Sequence, residues 1–121
     1  MIVAGFGFRH GASLASLESA LERATGGMIA VDALATLDGK TQQLAPLARK
    51  LALPLIAVGV GRLADQPVAT RSPASMAAYG AGSVAEATAL AALTQKGRLL
   101  APRAFSSDRF ASCALAESPA P

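Results

Sequence analysis

Short apolar stretches alternate along the chain with amphipathic stretches that carry helix-capping residues, and glycine- or proline-bearing breaks separate them. That alternation predicts an α/β domain on a mixed, mostly parallel sheet of about five strands. The 121 residues suffice for one hydrophobic core and are too few for two. Residues 1–116 are therefore expected to form a single domain, and the Pro- and Ala-rich 117–121 a frayed tail. Apolar residues make up 52% of the chain, mostly Ala, Leu and Val, with four Phe, one Tyr and no Trp. The core should be aliphatic and packed from small residues.

The first strand is expected at 2–8. Ser13 can cap a helix over 13–24, with Leu14, Leu17, Leu21 and Ala24 on one face, and Thr25-Gly26-Gly27 ends it. Residues 31–37 are ambiguous by pattern, but Asp38-Gly39 closes them early, so a second strand should end near Leu37. A helix over about 42–51 buries Leu44, Leu47, Ala48 and Leu51, with Pro46 near its first turn. A third strand at 54–60 is followed by one helical turn at 62–65. Ser72-Pro73 starts another helix, 79–82 interrupts it, and Ser83 with Glu86 forms a capping box that opens a helix to about Thr94. The last strands are expected at 98–101 and 110–116, joined by a hairpin through Ser106-Ser107-Asp108-Arg109. This antiparallel addition makes the sheet mixed.

The net charge of +3 comes from arginines spread along the chain, without the dense stripe that a nucleic-acid backbone requires. A modest positive charge suits an acidic small molecule, and no nucleic acid is expected as partner. Cys113 is the single cysteine, so an internal disulfide and a thiolate zinc cluster are both impossible; in its apolar run an inert buried thiol is expected. The apolar start lacks a basic leader region, and no run approaches the roughly 18 apolar residues of a membrane helix. The reading is a cytoplasmic protein that neither crosses a membrane nor needs a metal or other cofactor.

Gly5-Phe6-Gly7-Phe8-Arg9-His10-Gly11 follows the first strand and precedes the first helix. Such a loop exposes unpaired N–H groups, and Arg9 and His10 add a guanidinium and an imidazole, which is the chemistry of an anion site. A dinucleotide fingerprint fails, because His10 stands where the third glycine belongs. Arg9 suits a carboxylate or a surface pair. His10 suits ligand contact, general-base work, or the completion of a turn. Asp38 and Lys40 either staple their own turn or act on a ligand as base and carboxylate donor. Arg71-Ser72 and Gly82-Ser83 with Glu86 are further polar clusters at helix starts, although a capping box explains Glu86 without a ligand. In a sheet of this kind ligands sit beyond the carboxyl ends of the strands, so Arg9-His10 and Asp38-Lys40 should share one edge and the capped helices should point toward it.

Taken together, G-F-G-F-R-H-G at the start, L-D-G-K at Leu37 to Lys40, S-P at Ser72-Pro73 and Y-G-A-G-S-V-A-E-A at Tyr79 to Ala87 resemble the CobE family of cobalamin (vitamin B12) biosynthesis, equivalent to the C-terminal domain of CbiG. The resemblance covers nearly the whole chain. It implies a three-layer α/β/α sandwich and a role in corrin-ring synthesis. Many relatives look more acidic after the lysine, where this chain has Thr41-Gln42-Gln43. The larger CbiG proteins open a δ-lactone on a cobalt-corrinoid ring, whereas this chain resembles the standalone form of the aerobic pathway.

Two functions follow as expectations. In the first, the protein binds a polycarboxylated precorrin or corrinoid as a carrier or accessory factor, through Gly5, Gly7, Arg9, His10, Gly11, Lys40, Arg71, Ser72, Gly82, Ser83 and Glu86. Other corrin-pathway enzymes such as methyltransferases are then possible partners. In the second, it is a lactone hydrolase in which His10 or Asp38 activates water and loop N–H groups hold the oxyanion.

Overall fold

The computed structural model describes residues 1–79 and 83–119 of the chain. Five strands form one sheet: β1 (Ile2–Phe8), β2 (Ala33–Leu37), β3 (Leu55–Val58), β4 (Arg98–Phe105) and β5 (Ala111–Glu117), in the spatial order β3-β2-β1-β5-β4. β1 pairs parallel with β2 and β2 with β3, while β5 runs antiparallel to both β1 and β4. Four strands therefore point one way and β5 alone is reversed, so the neighbour pairings divide evenly between parallel and antiparallel. The helices are α1 (Leu14–Thr25), α2 (Thr41–Leu51), α3 (Pro73–Tyr79) and α4 (Val84–Ala91). Among the described residues no helix is long and apolar enough to cross a membrane.

The alternation of side chains along each strand builds the two outer layers. On one face Ala4, Phe6 and Phe8 of β1 join Leu34, Cys113 and Leu115 against Leu17 and Ala20 of α1 and Leu44 and Leu47 of α2. On the other, Val3, Ala33, Ala35 and Ala116 meet Ala87, Leu90 and Ala91 of α4. Aromatic rings fill the first face, and glycine and alanine dominate the second. That difference lets α4 come very close to the sheet: a Cβ on Gly5 would overlap the Ala85 carbonyl oxygen and the Ala89 nitrogen, and would lie 2.7 Å from Thr88 Oγ1. The glycine in mid-strand thus serves helix-to-sheet packing.

Several boundaries differ from the expectations, each for a local reason. β4 continues four residues past Ala101, because register shifts on either side of Ala101 accommodate Pro102 and the strand lies on the sheet edge. β3 is shorter than 54–60, and the turn after it is a 3₁₀ turn at Val60–Arg62 rather than 62–65. Pro46 lies inside α2, past its first turn; it removes the N–H that would serve the Gln42 carbonyl, and both residues are exposed, where the lost bond costs least. Leu14 is exposed, and Ser16 takes its place on the buried face of α1. α4 ends at Ala91, before Thr94. Glu117 is not frayed but closes β5, paired with Ile2 and Arg98, and Ser118 N–H donates to the Met1 carbonyl at 3.0 Å.

Candidate functional site

Beyond the amino end of α4 the small-residue face of the sheet is uncovered, and a cleft of about 420 Å³ opens there at the carboxyl end of β1. Gly7, Ser112 and Phe105, cross-strand neighbours on β1, β5 and β4, form its floor. A Cβ on Gly7 would sit 3.3 Å from Ser112 Oγ and 3.4 Å from Val84 Cβ, so any side chain there would fill the floor. Ala74, Ser75 and Ala78 of α3 and Val84 of α4 make one wall. Arg9, Arg103, Arg109 and Phe110 make the rim, and among the described residues no Asp or Glu lines the cleft.

The arginines are held over aromatic rings. The guanidinium carbon of Arg9 is 5.7 Å from the centre of the Phe110 ring, and those of Arg103 and Arg109 are 4.5 Å and 4.2 Å from that of Phe105. The ion pairs among the described residues are Lys50 with Glu18 and Arg98 with Glu117, both away from the cleft. The three rim guanidiniums thus have no carboxylate partner among the described residues. A smaller hollow of about 240 Å³ at the other end of α4 contrasts with this, since its Arg62 is committed to the Ala91 carbonyl.

The sequence-predicted site residues divide three ways. Gly7 and Arg9 line the cleft. Lys40 does not line the cleft: its ammonium donates to the Phe8 carbonyl at 2.7 Å and lies 5.1 Å from the Phe8 ring centre. The shared edge of Arg9-His10 and Asp38-Lys40 follows from the adjacent parallel pairing of β1 and β2. Asp38 and Lys40 do not form an ion pair. His10 is exposed in the turn that Ala12 N–H closes onto the Arg9 carbonyl, and Asp38 is also exposed; neither lines the cleft. Gly11 supports Phe110, whose ring would be 3.3 Å from a Cβ at that position.

The remaining candidates have structural duties. Gly5 is under α4. Ser72 and Ser83 cap helices, their hydroxyl oxygens accepting from Ser75 N–H at 3.3 Å and Glu86 N–H at 3.2 Å. Arg71 is exposed and off the cleft, and Gly82 lies outside the described residues. Glu86 is fully buried and does not return to the Ser83 N–H as a capping box would. Its Oε1 accepts from the N–H groups of Ala69 and Thr70, and its Oε2 from Thr70 Oγ1 and Arg103 N–H, at 2.6–2.8 Å. Burial pushes this carboxyl up, but the four donors outweigh burial and hold it below its ordinary value. Glu86 thereby fixes the β4 segment that carries Arg103.

The first turn of α1, expected to face an anionic ligand, receives a carboxylate from within the chain through the Ser16 hydroxyl. Asp108, in the hairpin, accepts from Ser106 Oγ at 2.6 Å, from the buried Ser16 Oγ in the first turn of α1, and from Phe110 N–H at 3.0 Å. These bonds, the Ser106 hydroxyl foremost, hold its carboxyl down at about 2. Arg9 N–H is likewise spent on the Phe110 carbonyl at 2.8 Å. Cys113 is buried and its thiol is pushed well up by desolvation, in keeping with an inert packing role.

Arg103, Phe105, Arg109 and Phe110 were not among the sequence-predicted site residues. The signal available for them is the nearness of arginine to phenylalanine, in Arg103-Ala104-Phe105, where i and i+2 share a strand face, and in the adjacent pair Arg109-Phe110 of the hairpin.

Comparison with known proteins places this geometry. The fold matches the crystal structure of CobE, a protein from the cobalamin (vitamin B12) biosynthetic pathway, with a TM-score of 0.85 and 34% identity over 98% of this chain and 91% of that one. It also matches the cobalamin biosynthesis protein chiG from Agrobacterium tumefaciens str. C58, with a TM-score of 0.72 and 34% identity over 99% of this chain and 100% of that one. No match is found among curated proteins. Residues 2–116 match the family model for the cobalamin synthesis G C-terminus, so the chain belongs to that family and takes part in cobalamin biosynthesis.

Proposed function

We propose that the cleft binds a polycarboxylated corrin-pathway intermediate and that the protein serves as a carrier or accessory factor for it. One observation carries this reading: Arg9, Arg103 and Arg109 surround a floor made by Gly7, Ser112 and Phe105, with no carboxylate among the described residues lining the cleft. Guanidiniums recognise carboxylates through paired, charge-assisted hydrogen bonds, and the acetate and propionate arms of a tetrapyrrole supply them. The flat floor at Gly7 and Ser112 suits the edge of a macrocycle. At about 420 Å³ the cleft encloses only part of such a ligand. Partial enclosure fits holding and passing on a ligand better than sequestering one for reaction.

Titration with a metal-free polycarboxylate corrinoid, followed by visible absorption and by the mass of the recovered ligand, tests the proposal. Binding with unchanged ligand mass is expected, and Arg9→Gln and Arg103→Gln should each weaken it about tenfold, corresponding to one lost charge-assisted contact. Unaltered affinity in both folded variants would overturn the site, and a changed ligand mass would replace carriage with catalysis.

A further inference from the structure

Outside glycine, two described residues have positive φ: Ala52 at 55° and Arg109 at 62°. Ala52 ends α2, where a left-handed residue is a common helix stop. Arg109 is different, since left-handed backbone is disfavoured for a long side chain. The turn itself asks nothing of that side chain: its backbone bonds are the Arg109 N–H to the Ser106 carbonyl at 2.9 Å and the Ser106 N–H to the Ala111 carbonyl at 2.8 Å, and its side-chain bonds are made by Ser106 and Asp108. Glycine would satisfy both without the steric cost. What arginine adds is a guanidinium over the Phe105 ring that already carries Arg103. Both guanidiniums thus line one cleft with no carboxylate partner among the described residues, and an anionic ligand there offsets the cost of gathering two cations.

We infer that Arg109 with Arg103 is the specificity determinant of the cleft, and that the pair selects ligands with free carboxylates over the same ligands with those groups converted to amides. The inference rests on the ligand reading above and narrows it. An amide offers one neutral carbonyl oxygen and brings N–H donors of its own, which face guanidinium donors unproductively. A carboxylate offers two charged acceptors to the planar fork. The ligand therefore precedes the reactions that amidate its acid arms.

The test compares the wild type with Arg109→Gly, using a polycarboxylate corrinoid and its fully amidated counterpart, with melting temperature measured alongside. The wild type should prefer the acid by at least tenfold. Arg109→Gly should lose about tenfold in affinity for the acid and little for the amide, with a melting temperature no lower than wild type. Ala52→Gly, which relieves the same backbone conformation far from the cleft, should raise the melting temperature by a few degrees and leave affinity unchanged. Equal losses for acid and amide, unaltered affinity, or a melting temperature that falls together with affinity would each overturn the inference while leaving the cleft as a ligand site. A wild type that binds neither compound would instead remove the cleft reading, and the inference with it.

Discussion

Glu86 is the residue whose chemistry and position are most tightly coupled. All four of its partners are donors, so a carboxylate satisfies them and an amide cannot: Gln would turn an NH₂ group toward N–H groups. Glu86→Gln should cost about 2–3 kcal/mol, the penalty of leaving buried donors unpaired, read from the midpoint of urea unfolding. The pH dependence has a definite sign. Since the folded carboxyl lies below its ordinary value of 4.5, the stability it contributes is fully present above that value and is lost as pH falls below it. The Gln variant should lack this part of the acid-side slope, and an unchanged slope would contradict the assignment. The charge and helix-start position of Glu86 were legible in the sequence. Its partners were not, because Ala69, Thr70 and Arg103 approach it only through the tertiary fold.

At the level of elements, the molecule turns on how α4 meets β1. Gly5 and Gly7 share a strand face two residues apart, yet one lies beneath α4 and the other past its first turn, on the open floor of the cleft. A strand–glycine–helix pattern cannot separate these duties, since α4 starts nearly eighty residues later in the chain. The alternation of strands and helices was legible because it is written in local periodicity and caps: Ser13 and Ser83 are N-caps as expected. The extent of β4 was not, because Pro102 reads as a strand end and only an edge position with a bulge admits it. These packing roles set opposite expectations for one small change. Gly5→Ala drives a methyl into helix backbone and should cost about 3 kcal/mol or more, seen as a large drop in melting temperature. Gly7→Ala brings a methyl to 3.3 Å from Ser112 Oγ, a side chain that can give by a few tenths of an ångström, so it should fold with a much smaller stability loss, but with its floor raised it should bind the polycarboxylate corrinoid less tightly. Equal stability losses for the two variants would mean that α4 does not lie over β1 as described.

Across the whole molecule, a parallel half, β3-β2-β1, and an antiparallel half, β5-β4, join along β1, and the cleft lies at that seam. Its rim is shared between the loop after β1, which carries Arg9, and the hairpin between β4 and β5, which carries Arg109 and Phe110. Asp108 ties the two halves: its carboxylate accepts from Ser16 of α1 while holding the hairpin through Ser106 and Phe110, and Ser107 N–H adds a bond to Ser19 Oγ at 3.1 Å. The geometry of the rim therefore depends on a carboxylate that does not itself line the cleft. Because Asp108 has its carboxyl lowered from 3.8 to about 2, the clasp is complete above the upper value and is lost as pH falls through the lower one. Asp108→Asn should release the hairpin at neutral pH. Amide exchange at Phe110 should accelerate strongly, exchange in the core of β1 should stay near wild type, and affinity for the polycarboxylate corrinoid should fall although every rim arginine is present. If Phe110 stayed protected in that variant, the β1–β5 ladder and the backbone bond of Arg9 to Phe110 would hold the hairpin without the carboxylate, and Asp108 would lose its place in setting the cleft.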